Sequence, residues 1–133
     1  MAKKITGFVA GCFDLIHPGY IYMFEDAKTV CNHLIVALHE DPSHERPQKY
    51  KPLHTLEERA TILKSIKYVD EIVYYKTEEE LENLLLDLKP NYRILGTDYL
   101  DKDYTGKGIK DIEIYFHERK HNWSYSNLRR KIC

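Results

Sequence analysis

Cysteine is scarce in this sequence, and no long apolar run occurs in it. The 133 residues include three cysteines, Cys12, Cys31 and Cys133, without Cys-x-x-Cys spacing. This odd number favours reduced thiols in the cytoplasm over a disulfide framework. No stretch approaches the roughly 20 apolar residues of a membrane span, and no signal-peptide core follows Met1. We therefore expect a cytoplasmic protein that has no membrane partner.

The chain also lacks an excess of either charge. Its 20 Lys and Arg residues nearly balance 21 Asp and Glu residues, for a net charge of -1. This balance argues against a dedicated nucleic-acid or anionic-membrane binder. The near-zero net charge is an average over opposed regions. Residues 70–88 carry seven acidic residues and one Lys, whereas residues 117–133 carry five basic residues and one acidic residue. A long polyanionic partner is excluded, and a short one is not.

Short apolar runs alternate with helical patterns along the whole chain. The runs predict five strands, at residues 5–11, 34–38, 71–75, 92–96 and 112–116. Helices are predicted from Pro18 to about Val30, after a Thr55–Glu58 capping box, around Leu81–Leu88, and from Ser124 through Ile132. We expect an α/β fold: one Rossmann-like domain over residues 1–133, with a five-stranded parallel sheet and helices on both faces. Such a sheet binds ligands at the carboxyl ends of its strands.

The decapeptide Gly-Cys-Phe-Asp-Leu-Ile-His-Pro-Gly-Tyr, residues 11–20, joins the first strand to the first helix. A small residue at a strand end followed by a helix N-terminus favours an anion, because unpaired N–H groups and the helix dipole converge there. His17, just ahead of the helix, is able to point a ring N–H at a phosphate. The glycine spacing is neither GxGxxG nor Walker A. By spacing alone, an ordinary turn with a surface histidine is an equal alternative.

This decapeptide resembles the GTFDxxHxGH signature of the nucleotidyltransferase superfamily, in particular of the small glycerol-3-phosphate cytidylyltransferases. The similarity continues in chain order over essentially the whole sequence. The other matching segments are Leu34–Asp41, Glu58–Arg59, Ile66–Val73, Gly96–Tyr99 and Glu118–Ser126. Together they are more specific than any one motif.

The resemblance implies transfer of CMP from CTP to a small phosphorylated alcohol or polyol, with Mg²⁺ accompanying the triphosphate and pyrophosphate leaving. Adenylyl transfer from ATP to a sugar phosphate is the alternative, because Gly96-x-Asp98-Tyr99 followed by a longer loop resembles the sugar-phosphate adenylyltransferases. A catalytically weakened, nucleotide-binding relative is a further alternative. Relatives of this type are commonly dimers, so a homodimer is expected.

The resemblance also assigns site residues by correspondence. Four are expected to take part in catalysis: His17, Tyr20, Lys49 and Arg119. The expected nucleotide-binding residues are Gly11, Cys12, Phe13, Asp14, His17, Lys51, Arg59, Gly96, Asp98, Arg119, Ser124 and Ser126. Asp14 is expected to organise the loop or the metal, and no other side chain is assigned to a metal. Gly96 and Asp98 are expected beside the base.

Two departures from the family pattern concern this site. Tyr20 replaces the second signature histidine, and a phenol donates one hydrogen bond but does not become a cation near neutral pH. In the last motif Asn122 stands for a glycine, and Trp123 and Tyr125 are bulkier than their counterparts. These aromatic residues are expected to reshape the acceptor or nucleotide pocket.

Overall fold

The computed structural model describes residues 3–132, which form five strands and four α-helices. Strands and helices alternate, as the sequence predicts. The strands are β1 (Thr6–Gly11), β2 (His33–His39), β3 (Glu71–Tyr75), β4 (Tyr92–Gly96) and β5 (Glu113–His117). The helices are α1 (Pro18–Ala27), α2 (Leu56–Lys64), α3 (Glu78–Leu88) and α4 (Tyr125–Ile132), with short 3₁₀ turns at Pro42–His44 and Thr97–Tyr99.

All five strands lie in one parallel sheet, in the order β3-β2-β1-β4-β5. The predicted five-stranded α/β fold is confirmed. The central strand β1 has β2 on one side and β4 on the other, so the order reverses direction there. In open α/β sheets, ligands bind at such a point, outside the carboxyl ends of the strands.

Helices cover both faces because the strands are apolar on both sides. On one face Val9, Val36 and Ile94 pack against residues of α1 and α2 such as Phe24 and Leu63. A second cluster forms on the other face under α3; it comprises Phe8, Ile35, Ala37, Tyr75, Leu81 and Leu85. Because side chains alternate along a strand, successive residues of each strand belong to the apolar clusters on opposite faces of the sheet.

Local capping sets where the helices begin. Pro18 occupies the first turn of α1, where its missing N–H costs nothing. At α2 the predicted capping box is present: Thr55 Oγ1 accepts from the Glu58 N–H, and the Glu58 carboxylate accepts from the Thr55 N–H. At α3, Thr77 Oγ1 accepts from the Glu80 N–H. None of the helices in residues 3–132 is long and apolar enough to cross a membrane.

Candidate functional site

The loop between β1 and α1 is held in an uncommon backbone conformation. Phe13 and Leu15 have φ values of 50° and 51°, in the left-handed region that costs a non-glycine residue roughly 1 kcal/mol or more. Packing compensates, since Phe13 is 3% exposed and its ring contacts those of Tyr20 and Phe24. The same ring lies 3.3 Å from where a Cβ at Gly11 would stand. Gly11 and Phe13 therefore shape the loop from within.

Asp14 ties this loop to two distant segments. Its carboxylate is 1% exposed and accepts hydrogen bonds from the Leu53 N–H (2.7 Å), the His54 N–H (2.9 Å) and the Tyr125 hydroxyl (2.8 Å). Burial opposes ionisation of Asp14, but these hydrogen bonds outweigh it and lower its pKa. Asp14 thus organises the loop, whereas its role as a metal ligand stays a prediction. No group of three or more His, Cys, Asp or Glu residues suited to a metal ion occurs in residues 3–132.

Arg59 lies inside the protein, with 2% exposure. Its guanidinium donates to four backbone carbonyls: Cys12 (2.9 Å), His39 (2.6 Å), Glu40 (2.7 Å) and His54 (3.2 Å). These carbonyls belong to the β1–α1 loop, the end of β2 and the segment before α2. In this structure Arg59 joins the loops around the site, and a direct contact with nucleotide would require some of these bonds to break.

His17 is the N-cap of α1 and is 7% exposed. Its Nδ1 accepts from the Gly19 N–H at 3.0 Å, so the proton of the neutral ring resides on Nε2. That Nε2 is buried and has no hydrogen-bond partner in the described structure. Burial, followed by the nearby His121 and Arg119, lowers the pKa of His17. The site therefore presents a neutral, unpartnered ring N–H at a helix N-terminus.

Two aromatic rings lie nearly parallel to the His17 ring. The Tyr20 ring is 4.3 Å from it, centroid to centroid, with an interplanar angle of 21°, and the Trp123 ring is 5.7 Å away at 16°. Burial raises the pKa of Tyr20, so its phenol stays protonated. Tyr20, the substitute for the second signature histidine, thus stacks on the first. The contact between Trp123 and His17 joins residues far apart in sequence. The only sequence signal for it was that Trp123 is bulkier than its counterpart in the family.

The segment after β5 brings Arg119 and His121 towards His17. Arg119 is exposed, and its charge lies close enough to lower the pKa values of His17 and His121. The His121 ring lies against Gly19, where a Cβ would stand 2.7 Å from both His121 Cε1 and His17 Cε1. Gly19 is therefore required for the two imidazoles to approach the helix.

The predicted hydroxyl and lysine positions surround this centre. Ser124 Oγ accepts from the Asn127 N–H at 3.1 Å, so Ser124 caps the N-terminus of α4 as predicted. Ser126 is exposed in the first turn of α4, and Lys49 and Lys51 are exposed in the segment before α2. All four side chains are accessible to solvent, and their contacts with nucleotide stay predictions.

The remaining predicted residues lie at the ends of β1 and β4. Gly96 ends β4, and a Cβ there would stand 2.5 Å from Asp98 Oδ1, so the absence of a side chain lets Asp98 fold back. Asp98 is exposed in the following 3₁₀ turn. Burial raises the pKa of the Cys12 thiol to about 11, which leaves it protonated and a poor nucleophile.

Sequence reasoning missed a group that anchors β5 to α1. Asp26 of α1 accepts from the Tyr115 hydroxyl at 2.8 Å and pairs with His117 Nδ1 at 2.7 Å. His117 is 8% exposed and lies beside Gly96 in the sheet register. The group fixes the strand end from which the Arg119 segment leaves. No local motif indicates it, because its members are about 90 residues apart.

The cytidylyltransferase-like family model matches residues 8–125, from β1 into α4. The chain belongs to the cytidylyltransferase-like family. The resemblance is thereby confirmed at family level, as is the expected enzyme class, nucleotidyltransferase.

Curated relatives of this cytidylyltransferase-like chain are longer proteins. The bifunctional protein HldE of Gluconacetobacter diazotrophicus is 36% identical over 105 residues, which cover 78% of this chain and 22% of that protein. HldE of Aliarcobacter butzleri is 35% identical over 112 residues, or 84% of this chain and 23% of that protein. The chain therefore spans about a fifth of the length of these relatives.

A solved structure shares the fold. The lipopolysaccharide core biosynthesis protein from Thermoplasma volcanium superposes with a TM-score of 0.70 and 20% sequence identity. The match covers 90% of this chain and 100% of that one. At this identity the likeness extends to the fold alone.

Proposed function

We propose that this cytidylyltransferase-like domain transfers CMP from the Mg²⁺ complex of CTP to the phosphate of a small alcohol or polyol. An oxygen of the phosphomonoester forms a bond to the α-phosphorus. The bond from that phosphorus to the bridging oxygen breaks, and pyrophosphate leaves with the electron pair. No covalent protein intermediate is required, so catalysis rests on positioning and on stabilising negative charge.

The observation that carries this proposal is the state of His17. Its Nε2–H is buried, unpartnered and located at the N-terminus of α1, and the charge of Arg119 is nearby. An unsatisfied buried donor is costly unless a ligand pairs with it, and a phosphate oxygen is the acceptor that a helix N-terminus and a cation also favour. Charge developing on the α-phosphate would be stabilised there.

Tyr20 fits a working site as a neutral partner. Its stacking on His17 fixes the imidazole plane, and its hydroxyl is able to donate one hydrogen bond. The alternative is a nucleotide-binding protein with little turnover, since a phenol lacks the positive charge of a second histidine. Tyr20→His separates the two: a rise by orders of magnitude from a negligible wild-type rate supports the binding protein.

The second candidate is adenylyl transfer from ATP to a sugar phosphate. It is favoured by the segment Gly96-Thr97-Asp98-Tyr99, which resembles that of the sugar-phosphate adenylyltransferases and is followed by a long connection before β5. Thermal unfolding with CTP or ATP, each with Mg²⁺ and at equal concentration, discriminates the two because the nucleotide that binds more tightly stabilises the fold more. A larger shift with ATP would overturn the cytidylyl assignment.

The proposal is tested by pyrophosphate release with each nucleotide and a panel of phosphomonoesters. His17→Asn is the matched variant, since asparagine preserves the N-cap acceptor for the Gly19 N–H but removes the second ring donor. We expect a folded variant whose turnover falls about 100-fold or more, as when an oxyanion donor is deleted. Unchanged turnover would exclude His17 from the reaction. The absence of any nucleotide-induced shift or pyrophosphate release in the wild type would overturn the proposal itself.

A further inference from the structure

Arg93 is a buried cation that has no ion-pair partner among the described residues. It lies on β4, on the face covered by α3, and is 5% exposed. Its Nη1 donates to the Thr105 carbonyl, and the guanidinium lies 5.1 Å from the Tyr104 ring centroid. Its Nε has no hydrogen-bond partner, and no carboxylate of residues 3–132 is within ion-pair distance. Buried charges in proteins are ordinarily paired, so this arrangement points to a missing anion.

The acidic side chain that acts on Arg93, Glu78, forms its direct contacts with other residues. Glu78, at the start of α3, forms an ion pair with Arg46 and accepts from Thr105 Oγ1 at 3.1 Å. It is close enough to oppose the lowering of the pKa of Arg93 that burial causes. Glu78 therefore makes its direct contacts with Arg46 and Thr105 and acts on Arg93 only at longer range.

A second unpartnered nitrogen lies in the same region of the α3 face. His39, at the end of β2, is 4% exposed, and its Nδ1 has no hydrogen-bond partner in the described residues. Its ring meets the Tyr75 ring at 4.5 Å. Tyr75 thus contacts His39 directly, whereas Arg93 acts on Tyr75 only through its charge.

His39 and Tyr75 adjoin the proposed nucleotide site. The Tyr75 phenol is within electrostatic reach of Cys12, in the β1–α1 loop. The His39 carbonyl accepts from Arg59, which also binds the Cys12 carbonyl. His39 and Tyr75 therefore lie at the carboxyl edge of the sheet, where β2 and β3 end, whereas Arg93 is the second residue of β4 and lies under α3.

We propose that Arg93 binds an oxyanion carried by the second substrate at a position remote from its reacting phosphate. This inference rests on the proposed function and names the acceptor class: a phosphomonoester with a further carboxylate or phosphate. The unpaired Nε–H edge of a guanidinium suits such a group, since arginine recognises carboxylate and phosphate through parallel N–H bonds. Segment 104–105 covers the guanidinium and would move aside for the ligand.

Matched acceptors test the proposal on the wild-type chain. Glycerol 3-phosphate and 3-phosphoglycerate differ by a carboxylate in place of a hydroxymethyl group, and fructose 1-phosphate and fructose 1,6-bisphosphate differ by a second phosphate. In at least one pair, we expect the compound with the extra carboxylate or phosphate to bind at least about tenfold more tightly than its partner, as measured by calorimetry. A tenfold difference is the scale of one charge-assisted hydrogen bond. The pair that responds distinguishes carboxylate from phosphate. Equal binding within both pairs would overturn the proposal.

Variants of Arg93 supply the second measurement. Arg93→Met should abolish the preference within the responding pair, Arg93→Lys should retain part of it, and the exposed Arg130→Met is the charge control. The apparent KM for nucleotide should stay unchanged in all three, whereas the KM for acceptor rises in Arg93→Met. If Arg93→Met does not fold, Arg93→Lys decides: a preference equal to that of the wild type would overturn the assignment.

Failure of this inference is distinguishable from failure of the proposed function. Nucleotide-induced stabilisation and pyrophosphate release report on the function, and neither depends on which acceptor is preferred. A wild type that turns over both members of each pair equally retains the function and loses the Arg93 site. A wild type without turnover that still prefers one member in calorimetry retains the site and loses the function.

Discussion

The Tyr125 hydroxyl donates a hydrogen bond of 2.8 Å to Oδ2 of Asp14, joining α4 to the β1–α1 loop. The two residues are 111 positions apart. Asp14 sits between Phe13 and Leu15, whose left-handed backbones are unfavourable by themselves. The hydrogen bonds to Asp14 offset that cost, so one carboxylate couples the strained loop, the segment before α2 and the last helix.

Asp14→Asn is expected to lower the free energy of unfolding by about 3 kcal/mol at pH 7, because buried charge-assisted bonds become neutral or are lost. The pKa of Asp14 is depressed in the folded state, so its stabilisation is present above the pKa of an unfolded Asp, about 3.9, and is lost as the pH falls through the folded value. Urea unfolding between pH 3 and 7 should show the two proteins converging at the acidic end. A difference that persists undiminished at low pH would contradict this account.

Tyr125→Phe is the matched, smaller change. It removes the hydrogen bond to Asp14 and the one that the Tyr125 hydroxyl accepts from Arg129, and it leaves the two backbone donors to Asp14, so a loss of about 1–2 kcal/mol is expected. A loss as large as that of Asp14→Asn would mean that the helix α4, rather than the loop, depends on the contact.

Local sequence signals predicted the fold well because they act over a few residues. The Thr55–Glu58 capping box and the position of Pro18 follow from backbone hydrogen bonding alone, and both are present. The interior position of Arg59 was not predictable, since helical periodicity gives the face of a residue but not the carbonyls that loops bring to it. The stacking of Trp123 on His17 likewise depends on the path of a loop between β5 and α4.

Arg59→Lys is expected to destabilise the protein by about 3 kcal/mol or more. A lysine ammonium reaches only part of the four carbonyls, and each buried acceptor left unpaired costs about 1–3 kcal/mol. Chemical denaturation checks this directly. Should the variant keep full stability and lose only nucleotide affinity, Arg59 would be a ligand contact, as the family correspondence suggests.

Lys49→Ala and Lys51→Ala test exposed residues that are expected to bind the nucleotide rather than to stabilise the fold. Both side chains are exposed, so each change should alter the free energy of unfolding by about 0.5 kcal/mol or less. Triphosphate affinity should fall, and its dependence on salt should weaken, because a screened attraction has been removed. Lys64→Ala, in the last turn of α2, is the control and should leave affinity unchanged. A large loss of stability would identify Lys49 or Lys51 as part of the scaffold.

Gly19→Ala tests how closely the imidazoles must approach α1. The new methyl would stand 2.7 Å from carbon atoms of both His17 and His121, so at least one ring has to move. Alanine is intrinsically the better helix former by about 1 kcal/mol, which offsets part of the crowding. We therefore expect a folded protein whose turnover falls about 100-fold, the scale of a small misplacement at a reacting centre.

Gly7→Ala provides the contrast for this measurement. Its methyl would stand 2.7 Å from Cys31 Sγ near the amino end of β1, away from the site, so it should reduce stability and leave the turnover of the folded protein unchanged. Circular dichroism melts and pyrophosphate release on both variants give the comparison. Full activity in Gly19→Ala would show that His17 need not hold its observed position. Since that position is what leaves Nε2 unpartnered, the role proposed for His17 would then be wrong.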